Sequence, residues 1–393
     1  MNVLVINAGS SSLKFKLFGG DGADVVMAGH YIDIGETAGK AAGARIITRR
    51  GTVEKTELTV RDHRSAIGDV LGLLRGDNLL GGGAVIGHRI VHGGERYDRA
   101  TLLTPEVLEY LDEISVLAPL HNPVALACVD ELGAALPELP QYAVFDTAFH
   151  RTLPEAVYLY GLPLELYRKH GIRKYGFHGT NHKYVAHRAA EVMGRDIRSL
   201  KIVTCHLGNG QSICAVKHGK SVDTSMGFTP LEGLPMGTRS GSFDPEIIFF
   251  LMDRGYAPGE IRTLVNKRSG LLGLSGVDSH YKTIEDKARS GDAASKLASD
   301  ILVNRIICTI GAYAAEMGGV DAVVFTGGIG ENSAYLRGGV LEGLAHAGAV
   351  LDGAANSRHA ETITAPGSPV RALVIPANEE LQIAREVREA AGA

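Results

Sequence analysis

Val3-Leu4-Val5-Ile6-Asn7-Ala8-Gly9-Ser10-Ser11-Ser12-Leu13-Lys14-Phe15-Lys16-Leu17 opens the chain with an apolar run, a turn of small polar residues and a second, alternating run. It reads as a β-hairpin, because Asn, Gly and Ser favour turns and the flanking runs have strand character. The pattern returns in the second half of the chain. Lys201–Cys205 is strand-like, His206-Leu207-Gly208-Asn209-Gly210-Gln211-Ser212 is a turn, and Ile213–Val216 is strand-like again. Two copies so far apart do not make a solenoid. They predict a duplicated domain with a boundary near residue 150. No Pro- or Ser-rich linker marks that boundary, so the halves are expected to pack closely.

Such turns also suggest chemistry. Asn7–Ser12 offers backbone N–H groups and hydroxyls with Lys14 nearby, which are groups that hold phosphate oxygens. A plain hairpin turn is the alternative for either copy. A third Gly-rich stretch is Phe325-Thr326-Gly327-Gly328-Ile329-Gly330-Glu331-Asn332. It follows a strand-like run and precedes a helix expected to start near Ser333, an arrangement that serves nucleotides in many α/β folds. The P-loop pattern is absent, since Gly219-Lys220-Ser221 lacks the required Gly at position 214. The G-x-G-x-x-G and protein-kinase fingerprints are missing too.

Outward from these turns, short apolar runs at Ala84–Ile86, Tyr142–Phe145, Val320–Phe325 and Leu373–Ile375 alternate with helical patterns. The spacing of Ile301, Leu302, Ile306 and Ile310 predicts an amphipathic helix over Ser295–Met317. Strands alternating with helices predict an α/β protein with a mostly parallel sheet core. Several charged residues fall beside such runs. Arg89 lies in His88-Arg89-Ile90-Val91-His92-Gly93-Gly94 and Arg239 in Met236-Gly237-Thr238-Arg239-Ser240-Gly241. Two arginines in Gly-bounded segments suit carboxylate and phosphoryl oxygens. Asp146 ends the run Tyr142–Phe145, where α/β enzymes place their sites. His178 precedes a helix that Thr180 is positioned to cap. Each has a structural alternative: a surface ion pair for the arginines, a helix cap for the aspartate. His178 and His182 are four apart, but Gly179 and the helix start between them weaken any metal reading.

The 393 residues suggest two or three domains, and a 45% hydrophobic share builds a large core easily. A net charge of −4 implies no basic face and argues against nucleic acid as a partner. The four cysteines, Cys128, Cys205, Cys214 and Cys308, include no C-x-x-C pair and read as free thiols. No signal sequence and no apolar stretch near the ~20 residues of a membrane span is evident. The expectation is a cytoplasmic protein.

Taken in order, these segments, from Asn2–Lys14 through His88–Glu95, Phe145–His150, Tyr175–Thr180, His206–Gly210, Gly237–Gly241 and Thr326–Asn332 to Ala377-Asn378-Glu379-Glu380, resemble the acetate kinase family, within the larger group of sugar kinases, Hsp70 and actin. The resemblance implies two duplicated actin-like (ribonuclease H-like) α/β domains with a cleft between them. They would comprise residues 1–147 with 380–393, and residues 148–379, the second carrying the nucleotide and the interface of a homodimer. It implies reversible transfer of a phosphoryl group from ATP to acetate, giving acetyl phosphate and ADP, with Mg²⁺ or in its place Mn²⁺. Asn7 and Glu379 would place the metal and Lys14 would approach the phosphates. Arg89 would hold the acid, with Val91, Leu120, Phe177 and Pro230 around its alkyl end, although ordinary core explains those four equally well. Asp146, His178 and Arg239 would be catalytic. His206, Leu207, Gly208, Asn209 and Gly210, together with Gly327, Gly328, Ile329, Gly330 and Glu331, would line the nucleotide site.

Two departures stand out. Ser242 replaces the family's usual Asp after Gly-Thr-Arg-Ser-Gly. Asp278-Ser279-His280-Tyr281-Lys282-Thr283 replaces the usual Ser-Ser-Asp-x-Arg-Asp, which leaves open whether His280, Tyr281 and Lys282 contact the nucleotide. A propionate or butyrate kinase, and a non-catalytic nucleotide-driven binding module on the same scaffold, remain as alternatives.

Overall fold

The computed structural model describes residues 1–392 except 10, 21, 36–43, 50–51, 59, 78 and 80–82; Ser10 of the opening turn therefore lies outside the described residues. The chain divides into two compact units, Met1–Phe149 with Asn378–Ala393, and His150–Ala377.

Unit 1 is built on β1 (Val3–Ala8), β2 (Ser12–Phe18), β3 (Val25–Ile32), β4 (Ala44–Arg49), β5 (Thr52–Glu57), β6 (Val85–Ile90), β7 (Thr101–Leu102) and β8 (Gln141–Phe145), in the order β5-β4-β3-β2-β1-β6-β8-β7. Unit 2 is built on β9 (Lys201–Leu207), β10 (Gln211–Lys217), β11 (Lys220–Thr224), β12 (Ala322–Thr326) and β13 (Arg371–Val374), in the order β11-β10-β9-β12-β13. The run β3-β2-β1-β6-β8 repeats as β11-β10-β9-β12-β13, with antiparallel hairpins first and parallel neighbours after. The duplication expected from the two turns is thus a duplication of topology, in an α/β fold.

The sheets are mixed, and this corrects the expectation of a mostly parallel core. In unit 1 only the pairs β1–β6 and β6–β8 are parallel among the described residues. The reason is the turns themselves. A tight turn returns the chain antiparallel, and parallel pairing needs a longer crossover.

In unit 1 one sheet face takes Ile67, Val70 and Leu74 from helix His63–Gly76 and Cys128 and Leu132 from helix Asn122–Ala135. The closing helix Glu379–Ala390 packs Ile383 and Val387 onto β6 so closely that a Cβ on Gly87 would lie 2.9 Å from Val387. That packing anchors Glu379 and Glu380 beside β1. In unit 2, helix Ala293–Met317 buries Leu302, Ile306, Ile310, Tyr313 and Met317 along one face. Helix Gly179–Met193 buries Val185, Ala186, Ala189 and Ala190. Contrary to the sequence expectation, helix Ala293–Met317 is long and apolar enough to cross a membrane by length and composition; about a third of that stretch is buried in the unit.

Candidate active site

Unit 1 gathers charge at the ends of β1, β6 and β8. Asp146 is buried (1% exposed). Arg89 grips it with two donors, Nε to Oδ1 at 3.0 Å and Nη2 to Oδ2. Arg89 Nη1 donates to Asn7 Oδ1 at 3.1 Å, and Asn7 Nδ2 donates to Glu380 Oε1 at 3.1 Å. Lys16 closes the chain, 3.0 Å from Glu380 Oε2 and 3.3 Å from Asn378 Oδ1. A guanidinium carries five N–H donors, so two of Arg89's remain for a ligand. Burial disfavours the charge on Arg89, but Asp146 and Glu379 more than restore it.

Glu379 behaves differently. Its nearest ionic approach is 4.0 Å to Arg89 Nε. Burial pushes its carboxyl above the ordinary value; Arg89 opposes this and the charges of Asp146 and Glu380 add to it. Glu380 is buried, yet Lys16 and Asn7 hold it below the ordinary value. The site therefore contains one half-buried carboxylate, Glu379, whose charge is not fully compensated. A hard divalent cation would relieve that repulsion. No group of three or more metal-ligating side chains exists among the described residues; Mg²⁺ asks for fewer, one or two carboxylates plus substrate phosphates and water. Asn7 is a weaker candidate than expected, because both ends of its amide are already engaged. Lys14 pairs with Asn7 in register on β2 and is exposed. Val91 is buried and Leu120 is 67% exposed.

Unit 2 gathers imidazole and guanidinium around the β9–β10 turn. His178 does not precede a Thr180 cap. It is itself the residue before helix Gly179–Met193, in the left-handed region at φ 57°, and Thr180 lies buried in the first turn. This corrects the capping expectation; a non-glycine held at positive φ is strained and occurs where the surroundings enforce it. The His178 ring stacks on His206 at 4.1 Å. Its Nδ1 lies 2.8 Å from Ser212 Oγ, which lies 2.7 Å from His182 Nε2, and His182 Nδ1 lies 2.7 Å from Thr204 Oγ1. His206 Nδ1 accepts from Asn181 Nδ2 at 2.8 Å. Burial, with His150 and His206 adding to it, drives the His182 pKa well down, so this ring is neutral. The relay from Thr204 to Ser212 thus fixes the His178 ring from behind.

A Cβ on Gly210 would lie 3.5 Å from His178 and 4.0 Å from Arg239 Nη1, so Gly210 separates the two. Among the described residues, Arg239 has two distant partners, the Pro230 carbonyl at 3.4 Å and Met236 Sδ at 3.8 Å. Burial lowers its pKa. Its loop is pinned on both sides. Gly237 N–H donates to the Asn209 carbonyl, and Ser242 Oγ accepts from Gly233 N–H at 2.9 Å. Ser242 therefore keeps the loop closed where the family uses Asp. Phe177 is buried and Pro230 half-buried in this unit.

Beside this centre lies a cavity of about 210 Å³. Its walls include Gly208 and Asn209 from the β9–β10 turn, Ser279–Lys282 and Glu285, and Gly328, Ile329, Asn332 and Ser333. The departure at Asp278–Thr283 thus lines the same cavity as the Gly-rich stretches. His280 is tied to Asp278 at 2.9 Å and Lys282 to Asp286 at 2.7 Å. Tyr281 is buried with its hydroxyl on Ser299. Leu207 is fully buried core.

The third Gly-rich stretch is not a turn but a short helix, Gly327–Asn332, and Ser333 caps the next helix, Ala334–Gly343. Gly327, at φ 78°, packs 2.7 Å (to an ideal Cβ) from the Leu207 carbonyl and donates its N–H to Glu331. Glu331 also accepts from Ala377 N–H at 3.0 Å. Gly327, Gly330 and Glu331 therefore frame the cavity, while Gly328 and Ile329 face it. Sequence reasoning missed Lys16, Glu380, Ser212, Glu285, Asn332 and Ser333.

Comparison with known proteins agrees along the whole chain. The acetokinase family profile matches residues 2–385. An acetate kinase of Bacillus cytotoxicus is 48% identical over 394 aligned positions, covering 98% of each chain. The crystal structure of Porphyromonas gingivalis acetate kinase superposes with a TM-score of 0.91 at 42% identity over 99% of both chains. A propionate kinase from Francisella tularensis superposes with a TM-score of 0.90 at 39% identity over 98% of both.

Proposed function

The chain belongs to the acetokinase family, and from that premise we propose that it moves the γ-phosphoryl group of ATP reversibly onto the carboxylate of acetate. The observation that carries this reading is the pair of anion-ready centres. In unit 1, Arg89 has two donors to spare beside buried Asp146. In unit 2, Arg239 and His178 flank Gly210, and among the described residues no carboxylate pairs with Arg239.

A carboxylate oxygen attacks the γ-phosphorus, the bond to the β-phosphate oxygen breaks, and ADP and acetyl phosphate leave. The acid is already ionised at neutral pH, so no general base is required. Asp146 holds Arg89, and Arg89 orients the acid. Arg239 and His178 supply donors where charge spreads over the equatorial oxygens. The cavity at Gly208, Gly328 and Ile329 takes the nucleotide, and Lys14 approaches its phosphates. Glu379 is the carboxylate best suited to Mg²⁺, with Asn7 beside it; when bound, the ion neutralises phosphate charge. We assign Val91, Leu120, Phe177 and Pro230 to the acid's methyl group. The family also contains propionate kinases, and one methylene is worth only about 1–3 kcal/mol. Initial rates over formate, acetate, propionate and butyrate with MgATP test the acid. A kcat/KM that peaks at acetate supports the assignment, and a peak at butyrate contradicts it.

We also infer a homodimer in the cytoplasm. Helix Glu246–Asp253 buries none of its residues, and Ile247, Phe249, Phe250 and Met252 are 43–56% exposed. Four large apolar side chains exposed on one short helix mark an interaction surface, and a second copy covers it. The free cysteines fit a reducing compartment.

A further inference from the structure

The inner end of the unit 2 cavity carries a charged group that the phosphoryl chemistry does not use. Glu285 lines the cavity and is 6% exposed. Its Oε2 accepts the Ser333 hydroxyl at 2.6 Å. That hydroxyl itself accepts from Leu336 N–H at 3.0 Å, so its single proton is committed to Glu285. The carboxylate is therefore held in place by a helix cap. Its Oε1 has Arg289 at 3.5 Å, a side chain 62% exposed. A carboxylate has about four acceptor positions, so about two remain open beside Ser333 and Arg289.

Asn332 is exposed and gives one of its two amide N–H groups to the Gly328 carbonyl, which leaves one N–H and the amide oxygen at the mouth of the cavity. The Tyr281 hydroxyl is bound to Ser299. The cations are at the rim and already paired, Lys282 with Asp286 and His280 with Asp278. Ile329 and the Gly328 backbone supply a flat, weakly polar wall. The inner end thus presents one fixed, buried carboxylate beside an apolar surface, a match for a planar base that offers an N–H.

We propose that Glu285 is a specificity-determining residue that reads the nucleobase, its Oε1 accepting an N–H from the exocyclic amino group of adenine while Ser333 fixes its orientation. A 6-oxo purine would turn a carbonyl toward the carboxylate, and acceptor would face acceptor. The inference rests on the reading of this cavity as the nucleotide site.

The test compares ATP with purine riboside triphosphate, which is ATP without the amino group, at saturating acetate and Mg²⁺. Wild-type kcat/KM favours ATP by roughly 10- to 100-fold, the range of one hydrogen bond to a charged group. Glu285→Gln keeps the side-chain size and an acceptor for Ser333. It brings the ratio to within about threefold, through a loss confined to ATP, with the KM for acetate unchanged. A wild-type enzyme that uses both nucleotides equally overturns the proposal without any variant. So does a folded Glu285→Gln enzyme in which both nucleotides lose equally, since that is the signature of a structural role. In either case turnover of ATP with acetate persists and the proposed function stands. If wild type turns over no nucleotide with any acid, the underlying reading fails first and this inference fails with it.

Discussion

Arg239→Ala separates function from stability in opposite directions. The guanidinium is largely buried, its pKa is lowered by burial, and no carboxylate answers it within ion-pair distance among the described residues. Its contacts at 3.4 and 3.8 Å lie at or beyond the edge of useful hydrogen bonding. Removing it thus forfeits little and relieves a desolvated charge. Ordinary truncation of a large buried side chain costs about 2–5 kcal/mol, but here the relieved charge offsets much of the lost packing. We expect the variant's thermal midpoint to lie within about 2 °C of wild type or above it. Turnover should fall by about 10²–10³, as for loss of one donor to a transition-state oxyanion. The KM for nucleotide should move little, because the donor is needed most as the phosphoryl group transfers. The assays are a thermal melt and steady-state kinetics on the same preparation. A large drop in the melting midpoint, or near-normal turnover, would refute the reasoning.

Ser212→Ala should lower kcat by about tenfold with the KM for nucleotide little changed, because the relay behind His178 is cut; Ser212→Thr should rescue it, and an unchanged kcat sinks the positioning role. Glu379→Gln should raise the thermal midpoint without Mg²⁺ at pH 7–8, since the native carboxyl is held above its ordinary value and its ionised form is disfavoured by folding; the gain should shrink as pH falls toward the carboxylate range, and the variant should need more Mg²⁺ for half-maximal rate. Burial holds His88 and His92 at about 4, against an ordinary 6.5. The unfolded chain therefore binds more protons between these values, and stability should fall as pH drops from 6.5 toward 4, by roughly 3 kcal/mol per histidine at most; flat melting midpoints across that window contradict this. Phe250→Glu should abolish the proposed homodimer in sedimentation velocity, and an unchanged mass would place the interface elsewhere.

Much of this was legible in local chemistry. The paired hairpins announced themselves through Asn, Gly and Ser turns, and the topology duplicates where those turns repeat. The same turns should have warned against a parallel sheet, since β1–β2–β3 and β9–β10–β11 have no room for crossovers. Arg89, Asp146, His178 and Arg239 stood out because charge beside apolar runs is scarce. Their supports did not. Lys16 looks like one more alternating strand residue, and only the return of the chain at Asn378 gives it Glu380. Ser212 looked like part of a turn, and His182 like a failed metal ligand. Yet the i, i+4 spacing of His178 and His182 does put both near one helix face, which is how one serine comes to bridge them. Glu285 is invisible in sequence because its partner Ser333 lies on another helix.

The central claim is that a carboxylate, and not water, receives the phosphoryl group. The direct measurement incubates the enzyme with MgATP, acetate and hydroxylamine and quantifies hydroxamate and ADP together. Transfer to the carboxylate gives one hydroxamate for each ADP, with ADP formation falling to background when acetate is left out. ADP released at the same rate without acid, and no hydroxamate with it, would mean that water is the acceptor.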